Sequence, residues 1–232
     1  MRRFTGCVSI LIAIFTFVMN CPSATAQTVV IPHTDRGQYS NTGFHNPSNP
    51  NYVVGGDSFS SVYNNFFVFD LSGVTQPIAS AKLALYVPSA LAGPGYNSPD
   101  ASENYELHDV STSISTLVAG TGGVPAHTDL GSGVVYGSRT MTAADMGNVV
   151  EVTLNAAAIA ALDSATGLIG IGGSLTTLDG VANSEFTFGS SGSVGDTTEL
   201  RLTLAPEPSA LLLLGIGAIS LLGTRRKTTR RY

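Results

Sequence analysis

Tryptophan is absent from this 232-residue chain, and cysteine nearly so. Cys7 and Cys21 are its two cysteines, and no thiol follows them. That excludes disulfides, thiolate metal sites and a cysteine nucleophile from the rest of the chain. Positive charge is also scarce. Residues 27–205 hold Arg36, Lys82, Arg139 and Arg201 against fifteen acidic residues, a net charge of −11. Such a segment repels phosphate backbones, so no nucleic-acid partner is expected. Acidity of this degree also favours solubility outside the cell. Catalytic signatures are missing as well: the sequence contains no G-x-S-x-G, H-E-x-x-H, P-loop or G-x-G-x-x-G. Nothing marks one serine for a Ser-His-Asp triad, so no catalytic residue is assigned and the chain is not expected to be an enzyme.

Residues 1–26 have the organisation of a signal peptide. Arg2 and Arg3 precede a twelve-residue apolar run, 8–19, and Ala24-Thr25-Ala26 forms a small-x-small cleavage site at Ala24 and Ala26. Export through the Sec translocon would leave Gln27 as the mature N-terminus. Asn20 stands before Cys21 where a lipoprotein needs a small residue. Both cysteines leave with this segment.

Residues 27–205 are enough for one domain with a real core. Period-two patterns predict half-buried strands at 63–70 (YNNFFVFD), 82–87, 149–154, 184–188 and 199–204, the fourth with Phe186 and Phe188 on one face. Further strands are expected at 28–31, 51–54, 105–110 and, apolar on both sides, 168–171. Turn formers separate them at 93–95, 97–99, 122–123 and 189–195, and 93–104 is the longest expected loop. The one helical stretch is 155–164, with Asn155 as its N-cap. Seven to nine short strands with one short helix predict an all-β domain, a single β-sandwich of jelly-roll type.

Beyond it, Ala205-Pro206-Glu207-Pro208-Ser209 leads into an uncharged apolar run at 209–224, then Arg225-Arg226-Lys227 and Arg230-Arg231. As a helix that run would span about 24 Å, against a hydrocarbon core of about 30 Å. Snorkelling arginines and local thinning bridge the difference. A transmembrane helix is expected, with the basic cluster on the cytoplasmic side and the domain outside.

The order Pro-Glu-Pro, apolar helix, arginine cluster resembles the PEP-CTERM sorting signal, over about the last 28 residues. Pro206, Glu207 and Pro208 are the motif residues, and residues 206–232 form the tail segment. Ala205 and Ala210 depart from the valine and threonine frequent in that family. The resemblance implies export by a Gram-negative bacterium and removal of the tail near Pro-Glu-Pro by an exosortase, a membrane transpeptidase-like enzyme. It also implies an association with exopolysaccharide and biofilm. The segments 36–39, 43–47, 51–55 and 65–71 resemble secreted PEP-CTERM proteins. Residues 78–83 (IASAKL) resemble carbohydrate-module-like sandwiches of bacterial surface proteins. These likenesses imply a fold and no activity.

No cofactor is expected. His33, His45, His108 and His127 have no spacing that fixes a ligand set. Asp100, Glu103, Glu106 and Asp109, an acidic stretch around a loop, are the candidates for Ca²⁺. Tyr39, Tyr52, Tyr96 and Tyr105 could stack on sugars, although tyrosines at strand positions more often belong to a core. The function expected is that of an exported, exosortase-processed protein of the cell surface or extracellular matrix, structural or adhesive in biofilm. Exopolysaccharide is a candidate partner. A carbohydrate-binding module is the first alternative and a secreted hydrolase the second.

Overall fold

The run VYNNFFVFD has no strand breaker and alternates nothing: six consecutive residues, Asn64 to Phe69, are buried. A strand buried on both faces needs cover on both, and that requirement organises the molecule. The computed structural model describes residues 26–89, 95–179, 184–189 and 197–206. Among these the strands are β1 (Gln27–Ser40), β2 (Val54–Gly56), β3 (Val62–Asp70), β4 (Ile78–Tyr86), β5 (Gly95–Asn97) and β6 (Glu103–Asp109). They continue with β7 (Val135–Met141), β8 (Val149–Thr153), β9 (Leu168–Leu175), β10 (Glu185–Phe188) and β11 (Thr198–Leu204). The helices are α1 (Ile114–Val118), α2 (Gly123–Leu130) and α3 (Ala156–Ser164). Contacts group Thr28–Leu204 as one compact unit. Apart from Ala26, the expected signal peptide and the expected membrane helix at 209–224 lie outside the described residues. Among the described residues, no helix is long and apolar enough to cross a membrane.

The strands join in one curled antiparallel sheet. One arm runs β1-β11-β4-β8 and the other β3-β9-β6-β7; β1 joins them by pairing with β3 along residues 33–40. Pairing is nested along the chain: β1 with β11, β3 with β9, β4 with β8, β6 with β7. The far edge of β3 also takes β2, which continues to β10 and β5.

One face of β3 presents Phe67 and Phe69 to a core shared by both arms, with Leu83, Leu85, Leu107, Val152, Ile171, Leu200 and Leu202. Each such side chain contributes about 1.5–3 kcal/mol by leaving water. The other face, with Phe66 and Val68, packs with Tyr39 beneath Leu117 of α1 and Ala126 and Leu130 of α2. Gly172 of β9 makes that second layer fit, since a Cβ there would lie 2.6 Å from the Leu130 carbonyl oxygen.

The structure corrects several sequence expectations. Among the described residues of the domain there are three α-helices rather than the one expected. Gly122 and Gly123 read as a turn, yet Gly123 opens α2, and Pro125 falls in its first turn, where the N–H groups have no helical partner and a proline costs little. β7 was not anticipated, and β1 runs nine residues past Ile31. Within the expected long loop lies β5. In β10 the alternation fails: Phe188 is fully buried with φ +64°, whereas Phe186 is only partly buried and Glu185 and Thr187 turn inward.

Candidate functional site

At one rim of the sheet the chain gathers carboxylates. Asp100 comes from the link between β5 and β6, Asp179 from the segment after β9, and Glu185 from the first position of β10. A ligand oxygen of each lies within 4.8 Å of the other two. Asp100 and Asp179 open to solvent, while Glu185 is 1 % exposed.

Local structure explains the convergence. Glu185 pairs with Gly56 of β2, and the neighbouring Gly55 adopts φ +125°, where a Cβ would lie 2.0 Å from the Glu185 carbonyl oxygen. Only glycine allows that approach. Glu103, fully buried at the start of β6, accepts from Ser98 Oγ at 2.6 Å and from Thr177 Oγ1. It therefore clamps the two segments that carry Asp100 and Asp179. Tyr96 adds a second tie by donating to the Asp100 carbonyl at 2.8 Å.

Glu185 is the strained member electrostatically. Its Oε2 accepts the Asp179 N–H at 2.9 Å; its buried Oε1 has no hydrogen-bond partner. Burial raises its pKa above the usual carboxylate value, opposed by the Asp179 N–H and reinforced by Glu103, Asp179 and Asp100. The lysine and arginines among the described residues are engaged elsewhere. Lys82 and Arg201 meet Glu151, Arg201 also meets Glu199, and Arg139 meets Asp145.

Of the acidic stretch singled out in the sequence, Asp100 lies in this cluster and Glu103 bonds the segments beside it, whereas Glu106 and Asp109 lie apart. Alternation puts Glu106 on the face of β6 opposite Glu103, near His108. Six residues of strand carry Asp109 about 20 Å away from Glu103, where its Oδ1 accepts the Val134 N–H. Sequence reasoning missed Asp179 and Glu185. They lie some eighty residues downstream, and no local signal marked them, because the expected alternation set Phe186 and Phe188 on the face opposite Glu185.

The other candidates are dispersed. His33 contacts the Thr198 carbonyl, His45 that of Gln38, and His108 the Ser174 hydroxyl, while His127 sits in α2. Tyr39, Tyr52 and Tyr105 are fully buried and Tyr96 is 8 % exposed, so none is a sugar platform. Tyr105 donates to Asn65 Oδ1 at 2.8 Å, and Asn65 donates to the Tyr52 carbonyl, a polar tie inside the core. The exposed aromatic rings among the described residues are Phe44 and Phe59. Their loops adjoin, since Asn41 donates to the Ser60 carbonyl. Surface depressions around α3 and around α1 and α2 are lined by none of the clustered carboxylates.

Of the processing residues, Ala26 and Pro206 lie in coil just outside β1 and β11. Ala24, Glu207 and Pro208 lie outside the described residues. Residues 204–227 match the family model of the PEP-CTERM protein-sorting motif. The match begins at Leu204, the last residue of β11. No curated protein matches the chain. The motif marks an exported protein of the Gram-negative envelope, targeted to exosortase.

Proposed function

With that sorting motif as premise, we propose that the chain is a structural or adhesive component of the cell surface or extracellular matrix. Exosortase removes its tail, and the protein acts in biofilm or exopolysaccharide rather than as an enzyme. The observation that carries this reading is the position of the motif, flush against the last strand of the domain. The domain itself reads as a jelly-roll sandwich. Nested strand pairing and a core lined by both arms support that. Among the described residues, the carboxylate cluster crowds its members against each other instead of setting them across a cleft, which favours a non-catalytic role.

Pro206 and Pro208 keep the junction extended, as a protease cleft requires, and stop a helix in the tail from running upstream. The arginine cluster resists translocation and holds the tail across the bilayer during cleavage. Exchanging Pro206 and Glu207 for alanine should therefore leave the protein full-length and membrane-bound. Fractionation of a tagged domain reads this, and mass spectrometry of the released wild type should find Gln27 first. Normal release of the variant would make the motif incidental.

A second reading, a carbohydrate-binding module, draws support from Phe44 and Phe59, residues 68 % and 87 % exposed on adjoining loops. Retention of Phe59→Ala on an exopolysaccharide column, unchanged from wild type, would count against it.

A further inference from the structure

We infer that Asp100, Asp179 and Glu185 form a Ca²⁺ site, with Glu103 as the residue that positions it. The spacing is the first argument. Oxygens that share one Ca²⁺ at about 2.4 Å can be no more than about 4.8 Å apart, and the three carboxylates meet that limit together.

Crowded acids alone prove little. The second argument is the orphaned oxygen. Glu185 is 1 % exposed, its Oε2 is occupied by the Asp179 N–H, and its Oε1 has neither water access nor a donor. A buried carboxylate oxygen left this way is costly unless something positive satisfies it. The ion pairs of Lys82, Arg139 and Arg201 are made with other carboxylates. A cation from solvent, entering past exposed Asp179, supplies what no described residue does.

The donor set selects the ion. Hard carboxylate oxygens suit Ca²⁺ or Mg²⁺, and no imidazole or thiolate belongs to the cluster. Ca²⁺ accepts six to eight oxygens in flexible geometry, and carboxylates can each give one or two. Mg²⁺ demands a regular octahedron and keeps its waters, which suits a cluster built from separate segments less well. Glu103 takes no ligand role here, since both its oxygens already accept hydroxyl groups. It holds in register the segments that bring Asp100 and Asp179 together. A bound ion would pin together the link between β5 and β6, the segment after β9 and the start of β10.

The test is thermal unfolding of the full-length chain with Ca²⁺ as the probe, against chelator. Extracellular Ca²⁺ modules bind at about 10⁻⁴–10⁻³ M, so about 10 mM Ca²⁺ should raise Tm by about 3 °C or more. Glu185→Gln should lose most of that rise. Asp179→Asn, whose side chain is exposed and which should fold normally, should lose it too. Glu106→Gln should keep it in full, and Mg²⁺ should give a smaller rise than Ca²⁺. In chelator, Glu185→Gln should unfold no earlier than wild type, because it removes a charge from a crowded set. No rise in wild type, or an equal rise in Glu185→Gln and Asp179→Asn, would overturn the site. An equal rise with Mg²⁺ would reduce it to general screening of an acidic surface.

Discussion

His45 stacks on Tyr39, with ring centroids 4.9 Å apart, and meets the edge of Phe66 at 5.2 Å. Burial lowers its pKa below the ordinary imidazole value, opposed by the Gln38 carbonyl and by Asp35. Burial likewise lowers His108, against Glu106 and Asp109, and lowers His127, against the Val62 carbonyl. Below about pH 6.5 the unfolded chain takes up these protons before the native state does. The histidines' contribution is therefore complete above that pH and is lost as pH falls through the native values. The melting temperature of wild type should decline on acidification from neutrality, and His45→Gln should show a shallower decline. Parallel curves for the two proteins would show that His45 takes its proton equally in both states. None of this was legible in the sequence. A histidine's cost depends on what packs over it, and His45 is covered by residues of β1, β3 and the segment after α1.

Strands were the most readable elements. Runs such as ELRLTL carry their period on their face, and β11 buries Thr198, Leu200, Leu202 and Leu204 as alternation requires. α3 was equally plain, because Asn155 is both a good cap and the start of an alanine-rich run. Its Oδ1 accepts the N–H groups of Ala157 and Ala158, and its Nδ2 donates to the Val135 carbonyl at 2.6 Å. Asn155→Ala should thus cost about 1–2 kcal/mol in denaturant unfolding, from the cap and the lost tie to β7. A change within a few tenths would mean that packing of Ala158 and Leu162 alone holds the helix. Less readable was anything decided by a neighbour. β9 carries Gly170, Gly172 and Gly173, which weaken a strand signal, yet two of these glycines make room for other elements. Gly172 lies under α2, and Gly173 lies under the Tyr105 hydroxyl. The cluster of carboxylates shares this difficulty. Its members are separated along the chain and meet only through pairings that no local pattern announces.

For the whole molecule, the nested pairing places the first strand beside the last. Thr198 accepts Arg36 Nη1 at its hydroxyl and contacts His33 through its carbonyl, so β11 starts beside the later part of β1 and ends toward its beginning. Both boundaries of the folded unit, Thr28 and Leu204, thus lie at one end of the sheet. The carboxylate cluster lies beyond the far end of β9, about 25 Å of strand away. Such a fold is rich in contacts between residues distant along the chain, and topologies of that kind fold in milliseconds to seconds rather than microseconds. Refolding from denaturant should be correspondingly slow, and a chain ending before Thr198 should remain protease-sensitive throughout. A protected core in that truncation would contradict the seam. During export the N-terminal strand emerges first and must wait for a partner some 170 residues behind it. The closing strand arrives with the sorting motif at its heels, Leu204 being both its last residue and the first of the match. Synthesis that stops early therefore yields a chain with neither a shut sheet nor an address, and proteolysis can clear it before it is anchored.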